Sequence, residues 1–218
     1  MKAEFWHNRW ENNLTGFHLD DVNPYLKANW SFLKMKADSR VFVPLCGKTL
    51  DLIWLANQGH QVVGIELSPL AVEAFFIENG LAFERSQIGD LELWQSEKIS
   101  LFCGDFFDLT TEILGQVDAV YDRASLIALP PAMRQDYAAK MVELAQLAPK
   151  LLVTLEYEQS KMDGPPFSVT EEEIRELYQE KYRIKQLTAQ DVLGNNEKFR
   201  ARGLEYMNEC LYLLEMTS

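Results

Sequence analysis

RVFVPLCGKTLDLIWLANQGHQVVGIELSP, residues 40 to 69, decides how the rest of the chain is read. Val41-Phe42-Val43 is a short apolar run that reads as a strand. Pro44-Leu45-Cys46-Gly47 is a turn with one glycine. Lys48 to Asn57 is expected as a helix, with Leu52, Trp54, Leu55 and Ala56 on its apolar side. Gln58-Gly59-His60 ends it, and Gln61 to Glu66 is a second strand closing on an acid. Together they form a βαβ unit. Ligands of an open α/β sheet sit beyond the carboxyl ends of its strands. Gly47 lets backbone approach a ligand there, and a carboxylate at the position of Glu66 can accept hydrogen bonds from both hydroxyls of a ribose.

Two better-known phosphate loops are excluded. GxGxxG needs three glycines and the loop has only Gly47. Gly47-Lys48-Thr49 imitates the end of a P-loop, but position 42, where the first glycine belongs, is Phe.

On both sides of this unit the chain continues in the same style. Upstream, Trp6 and Trp10 have the spacing of one helix face, Asn12-Asn13 and Gly16 interrupt, and Tyr25 to Leu33 is a second helix after Asn23-Pro24. Residues 1–37 therefore precede the sheet and are expected as a helical lid, whose aromatic rings exclude water and stack on a flat ligand. Downstream, Ser68-Pro69 opens a helix. Residues 81–97 hold a loop and a short hairpin around Gly89-Asp90, and Ile99 to Cys103 is a third strand. A short helix is expected over Leu109 to Leu114, and Val117 to Tyr121 is a fourth strand with Asp122-Arg123 at its tip. Met133 to Leu147 is helical, and Leu151 to Glu156 is a central strand. After the irregular loop 161–167, Thr170 and Glu173 form a capping box for a helix reaching about Tyr178. Tyr182 to Leu187 and Cys210 to Glu215 close the sheet as an antiparallel edge.

Composition limits the function. A chain of 218 residues with 47% apolar side chains, including 12 Phe, 8 Tyr and 5 Trp, is a folded domain of ordinary size. We expect one domain over 1–218, without linkers or repeats, and a monomer. No apolar run reaches the length of a membrane span, and the N-terminus lacks a signal-like core. A net charge of −12 repels nucleic acid, since phosphate contact needs clustered Lys and Arg. Lys198, Arg200 and Arg202 suffice only for one small anion. Cys46, Cys103 and Cys210 are widely spaced, as in a reduced, cytoplasmic protein, and His7, His18 and His60 form no metal motif. A nucleophilic role for Cys46 is disfavoured, because no histidine lies close to it in sequence.

Four strand tips then converge on one ligand class. Leu45 to Gly47 and Glu66 suit the sugar, while Asp105 near Phe106 suits an adenine edge and face. Asp105 reads equally well as a turn or N-cap residue. Arg123 follows a strand directly and needs a partner: an anionic acceptor or a carboxylate such as Asp122. The tips together point to a nucleoside-bearing cofactor.

FWHNRW at 5–10, GFH at 16–18, VFVPLCGKTLDLIWLANQGHQVVGIELSP at 41–69, ISLFCGDFFDL at 99–109, VDAVYDRASLIALPP at 117–131, GPPFSV at 164–169 and LYLLE at 211–215 resemble the thiopurine S-methyltransferases, most closely the bacterial members. That resemblance covers nearly the whole chain. It implies the class I methyltransferase (Rossmann-like) fold, an α/β three-layer sandwich with a seven-stranded, mostly parallel sheet and an antiparallel edge. It implies S-adenosylmethionine as cofactor, S-adenosylhomocysteine as product, and aromatic or heterocyclic thiols such as 6-mercaptopurine as acceptors. Selenium and tellurium compounds are associated with the bacterial members. Carried over by position, it places Trp10, Leu45, Glu66 and Arg123 against the cofactor, with Arg123 also near the acceptor. Asn8 and Phe17 fall on the acceptor side. Animal members carry a late arginine where the simplest register here puts Lys198, with Arg200 or Arg202 as substitutes, and Asn8 stands where they carry aspartate. Two other functions stay open: a small-molecule N- or O-methyltransferase, favoured by a general base beside the acceptor, and a non-catalytic protein that binds an adenosyl ligand.

Overall fold

A computed structural model describes residues 3–217. In chain order the elements are α1 (Ala3–Glu11), α2 (Pro24–Asn29), β1 (Arg40–Val43), α3 (Asp51–Asn57), β2 (Gln61–Glu66), α4 (Pro69–Glu78), β3 (Glu84–Ile88), β4 (Leu91–Gln95), β5 (Ile99–Cys103), α5 (Thr111–Leu114), β6 (Ala119–Arg123), α6 (Pro131–Ala145), β7 (Lys150–Glu156), α7 (Glu171–Tyr178), β8 (Tyr182–Asp191), α8 (Glu197–Arg200) and β9 (Asn208–Met216). The sheet runs β3-β4-β5-β2-β1-β6-β7-β9-β8. Its five central strands, β5 to β7, are parallel, and an antiparallel pair flanks them on each side.

The expected seven strands are all present, and the hairpin around Gly89 adds two more. β4 pairs with β5, Leu93 opposite Phe102, so the hairpin extends the sheet to nine. Strand β3 is polar and exposed along most of its length, as befits an edge that must not recruit another strand. That polarity hides it from an apolar periodicity.

Alternation along the strands builds two cores. Phe42, Val63, Val120 and Leu152 face α6 and α7, where Tyr137, Met141, Ile174 and Tyr178 cover them. Val41, Val43, Val62, Tyr121 and Leu151 face Leu26, Trp30, Leu52, Phe75 and Phe76 of the opposite layer. Helices thus cover both faces of the parallel centre of the sheet, whose strands are mostly apolar. Among the described residues, no helix is long and apolar enough to cross a membrane.

Local chemistry moves several boundaries. Helix α3 begins at Asp51 and not at Lys48, because the turn is longer than one glycine suggests. Leu45 and Gly47 both have positive φ, 44° and 53°, and the Thr49 hydroxyl accepts from the Asp51 N–H at 3.3 Å. The stretch from Tyr25 to Leu33 splits into α2 and a 3-10 turn over Trp30–Leu33. Strand β6 runs on through Asp122 and Arg123, so these two are strand residues that point to opposite faces. Ser68 and Thr170 cap α4 and α7 as expected, accepting from Ala71 and Glu173 N–H groups. The Glu173 carboxylate does not turn back on its own helix. It pairs with the buried Arg134 guanidinium of α6 at 2.6 and 2.7 Å. A buried arginine outcompetes an exposed backbone amide for a carboxylate.

Candidate functional site

The last residues of β1, β2 and β6, which are Val43, Glu66 and Arg123, open onto one cavity of about 1280 Å³. Its floor is the turn from Leu45 to Thr49. Its walls are α1 with the segment to His18, the Pro165-Pro166 turn, and the excursion between β8 and β9 around α8.

The floor is built around Glu66. One carboxylate oxygen accepts from the Gly47 N–H and the other from the Ser68 N–H, both at 2.8 Å. One acid therefore ties the glycine turn to the start of α4. The carboxylate is buried, which raises its pKa, while the amides of Ser68, Gly47 and Leu67 oppose that rise. These amides do not use every lone pair of the carboxylate, so Glu66 can still receive a ribose hydroxyl. The turn is fixed from below as well. The Cys46 N–H donates to the Ile65 carbonyl at 3.0 Å, and the Ser125 hydroxyl donates to the Pro44 carbonyl at 3.2 Å. Burial pushes the Cys46 thiol well above its ordinary pKa, with Glu66 adding to the effect; such a group is not a thiolate nucleophile.

The roof is aromatic. Trp10 is buried, and a Cβ on Gly47 would lie 3.2 Å from its ring. Phe17 sits edge-on to Trp10 and Trp6, with ring centroids 5.5 and 5.8 Å apart. Helix α1 is therefore closed onto the glycine turn. Asp51 anchors the next part of the chain: its two oxygens accept from the Asn23 N–H at 2.7 Å and from the Tyr121 hydroxyl at 3.0 Å.

Arg123 reaches the cavity from β6 on the side of Tyr121. Its one hydrogen bond among the described residues, Nη2 to the Phe17 carbonyl, is long at 3.5 Å. The ion pair with Asp122 does not form, because Asp122 lies on the other face and accepts from the Tyr137 hydroxyl at 2.8 Å. Around Arg123 the lining carries Arg9, Lys48, Lys198, Arg200 and Arg202, against the carboxylates of Asp51, Glu66 and Glu197. Lys48 is paired with Glu78, and Arg200 lies 3.8 Å from Glu197. An acidic chain thus places an excess of cations in this cavity, which favours an anionic ligand group.

Of the residues singled out in the sequence, Trp10, Phe17, Leu45, Gly47, Glu66, Arg123, Arg200 and Arg202 line this cavity, as does Lys198. Asp105, Phe106 and Asn8 do not. Asp105 accepts from the Phe107 N–H at 2.9 Å and caps a 3-10 turn, and Phe106 packs in the core on Tyr137 at 4.8 Å. Asn8 is on the exposed side of α1. The structure adds Arg9, His18, Asp51, Tyr121 and Pro165-Pro166 to the lining. Arg9 is the immediate neighbour of Asn8, but one position on a helix turns the side chain by about 100°. Asp51 gave no signal, because an acid at a helix start is ordinary.

A buried acid clamping a glycine turn, an aromatic roof and a cationic side wall fit a nucleoside cofactor beside a flat anionic partner. Comparison with known proteins agrees. The family model for thiopurine S-methyltransferase matches residues 1–217. The thiopurine S-methyltransferase of Pseudomonas fluorescens (strain Pf0-1) is 49% identical over 212 residues, covering 97% of this chain and 98% of that protein. The one from Pseudomonas aeruginosa (strain UCBPP-PA14) is 51% identical over 216 residues, covering 99% of each. Among solved structures, a SAM-dependent methyltransferase from Anabaena variabilis superposes with a TM-score of 0.63 at 14% identity, covering 99% of this chain and 95% of that one. The 1,6-didemethyltoxoflavin-N1-methyltransferase of Burkholderia thailandensis gives 0.63 at 15% identity, covering 99% and 87%. The two structures share the class I methyltransferase fold with this chain.

Proposed function

The chain belongs to the thiopurine S-methyltransferase family, and from that membership we infer that it methylates aromatic and heterocyclic thiols on sulfur, with S-adenosylmethionine as donor. The observation that carries this reading is the Glu66 clamp on Gly47, set beside a cavity whose side wall is cationic and whose roof is aromatic.

The bound donor supplies a methyl group on positively charged sulfur. The chain's own residues bind, orient and exclude water. Glu66 takes the ribose hydroxyls, Leu45 and Gly47 form the backbone floor, and Trp10 closes over them. Arg123 lies between the donor and acceptor halves, where it holds an anionic group and stabilises a thiolate. Phe17 packs on a flat acceptor ring, and Lys198, Arg200 and Arg202 hold the acceptor's polar edge. Asp105, Phe106 and Asn8 lie outside the lining of the cavity. Positioning sulfur for in-line attack is the main task and contributes up to about 7–11 kcal/mol in well-oriented systems.

The chain acts as one domain in which residues 1–37 serve as the lid. Its unpaired thiols, Cys46, Cys103 and Cys210, suit the cytoplasm, and its acidic exterior suits a monomer that binds small molecules and not nucleic acid.

The test is a transfer assay with isotopically labelled S-adenosylmethionine and 6-mercaptopurine, beside a nitrogen and an oxygen acceptor. Label on the thiol product alone is expected. Label on the nitrogen or oxygen acceptor in its place would overturn the reading.

A further inference from the structure

An acceptor thiol must lose its proton before or during attack, and the cavity offers few groups able to take it. Both oxygens of Glu66 are held by backbone amides, and both oxygens of Asp51 by Asn23 and Tyr121. The Tyr121 hydroxyl donates to Asp51, the Cys46 thiol is buried, and Glu197 is exposed beside Arg200. His18 differs from all of these. Its backbone N–H is fixed by the Thr15 carbonyl at 2.8 Å, the residue lines the cavity, and neither ring nitrogen is hydrogen-bonded among the described residues.

We propose that His18 is the base that accepts the proton of weakly acidic thiol acceptors. This rests on the S-methyltransferase reading above and deepens it. The S–H bond breaks with its electron pair left on sulfur. An imidazole nitrogen gains the proton and becomes imidazolium, which later releases it to water. The thiolate formed is flanked by imidazolium and Arg123, as in thiolate–imidazolium pairs elsewhere.

The charged groups facing His18 are Lys48 from the glycine turn, Arg123 from β6, Glu78 from α4 and Asp20 from its own segment. Burial, then Lys48, lowers its pKa below the ordinary 6.5, with Asp20 and Glu78 opposing. The ring is therefore neutral at neutral pH and free to accept. A thiol asks less of so weak a base than an alcohol does, because its pKa lies closer to that of imidazole.

The experiment compares wild type with His18→Gln from about pH 5.5 to 9.5 on two acceptors: an acidic aryl thiol, and a thiol of pKa about 8.5, which is only about 3% ionised at pH 7. For the weak thiol, wild-type kcat/KM is flat above the His18 pKa. That of the variant is about 30-fold lower at pH 7 and climbs tenfold per pH unit until the thiol ionises. The acidic thiol is affected little in either protein. A second readout needs no turnover: with S-adenosylhomocysteine present, thiolate absorbance of the bound weak thiol persists in wild type to a pH lower by about one to three units than in the variant. Free imidazole should restore the rate of His18→Ala on the weak thiol alone. Superimposable pH profiles, or an equal loss on both thiols at every pH, would overturn the role of His18. Failure of wild type to methylate either thiol would instead overturn the S-methyltransferase reading.

Discussion

Replacing Glu66 by Gln tests the floor of the site in two independent ways. The two carboxylate oxygens serve the Gly47 and Ser68 amides. A glutamine keeps one acceptor oxygen and turns an NH₂ towards the other amide. One buried N–H is left unpaired, at a cost of about 1–3 kcal/mol. For a domain of this size, about 2 kcal/mol corresponds to a melting temperature about 4–8 °C lower. The ribose then loses hydrogen bonds to a charged acceptor, worth about 1.5–3 kcal/mol, so the Kd for S-adenosylhomocysteine should rise about 10- to 150-fold. Scanning calorimetry reads the first effect and titration calorimetry the second. An unchanged Kd in a variant with a lowered melting temperature would refute the ribose role while sparing the clamp. An unchanged melting temperature would refute the clamp. The same carboxylate sets a pH dependence. Its pKa is raised by burial, and its ionised form receives the ribose donors, so cofactor affinity should fall on acidification while ordinary carboxylates are still charged.

Three further substitutions probe the surroundings. Arg123→Ala should lower kcat/KM for anionic thiols by about tenfold or more while changing cofactor Kd far less, and unchanged kcat/KM would remove Arg123 from the mechanism. Gly47→Ala forces a left-handed backbone on a residue with a Cβ and presses it to 3.2 Å from Trp10; urea unfolding should show a loss of about 1–2 kcal/mol, and wild-type stability would contradict a left-handed turn closed under Trp10. Lys150 is buried over the rings of Tyr178 and Tyr182, and burial pulls its pKa from 10.5 to about 7, with Asp122 opposing. Between those values the unfolded chain holds more protons than the folded one, so stability should rise with pH across the window and level off below it. Lys150→Met should abolish that slope, and an unchanged slope between about pH 7 and 9 would assign it to other groups.

The legible parts of this protein were those written in local pattern. Val41 to Glu66 gives strand, turn, helix and strand in order, and the acid that ends it is the acid at the floor of the cavity. Less legible were choices that depend on which partner lies nearest in space. Asp105 and Phe106 follow β5 as a ligand-contacting pair would, yet Asp105 satisfies its own turn and Tyr137 claims Phe106 for the core. Glu173 matches a capping box, and Arg134 takes its carboxylate from across the helix layer. His18 and Asp51 lie in stretches that resemble the family, but nothing local marked either as cavity-lining, because their placement depends on strands and loops far away in sequence.

The cavity is assembled unequally from the chain. One side, from Val43 to Arg123, is framed by neighbouring parallel strands, whereas the other is walled by α1 and by the excursion around α8. These two walls come from opposite ends of the sequence, and the supports behind them meet where the Tyr25 hydroxyl donates to Gln190 at 3.1 Å. Neither wall supplies a strand to the sheet. The two walls are therefore not equivalent: α1 carries Trp10 over the Gly47 floor and is tied to the strand-framed part of the cavity, whereas the excursion around α8 can vary without disturbing that floor.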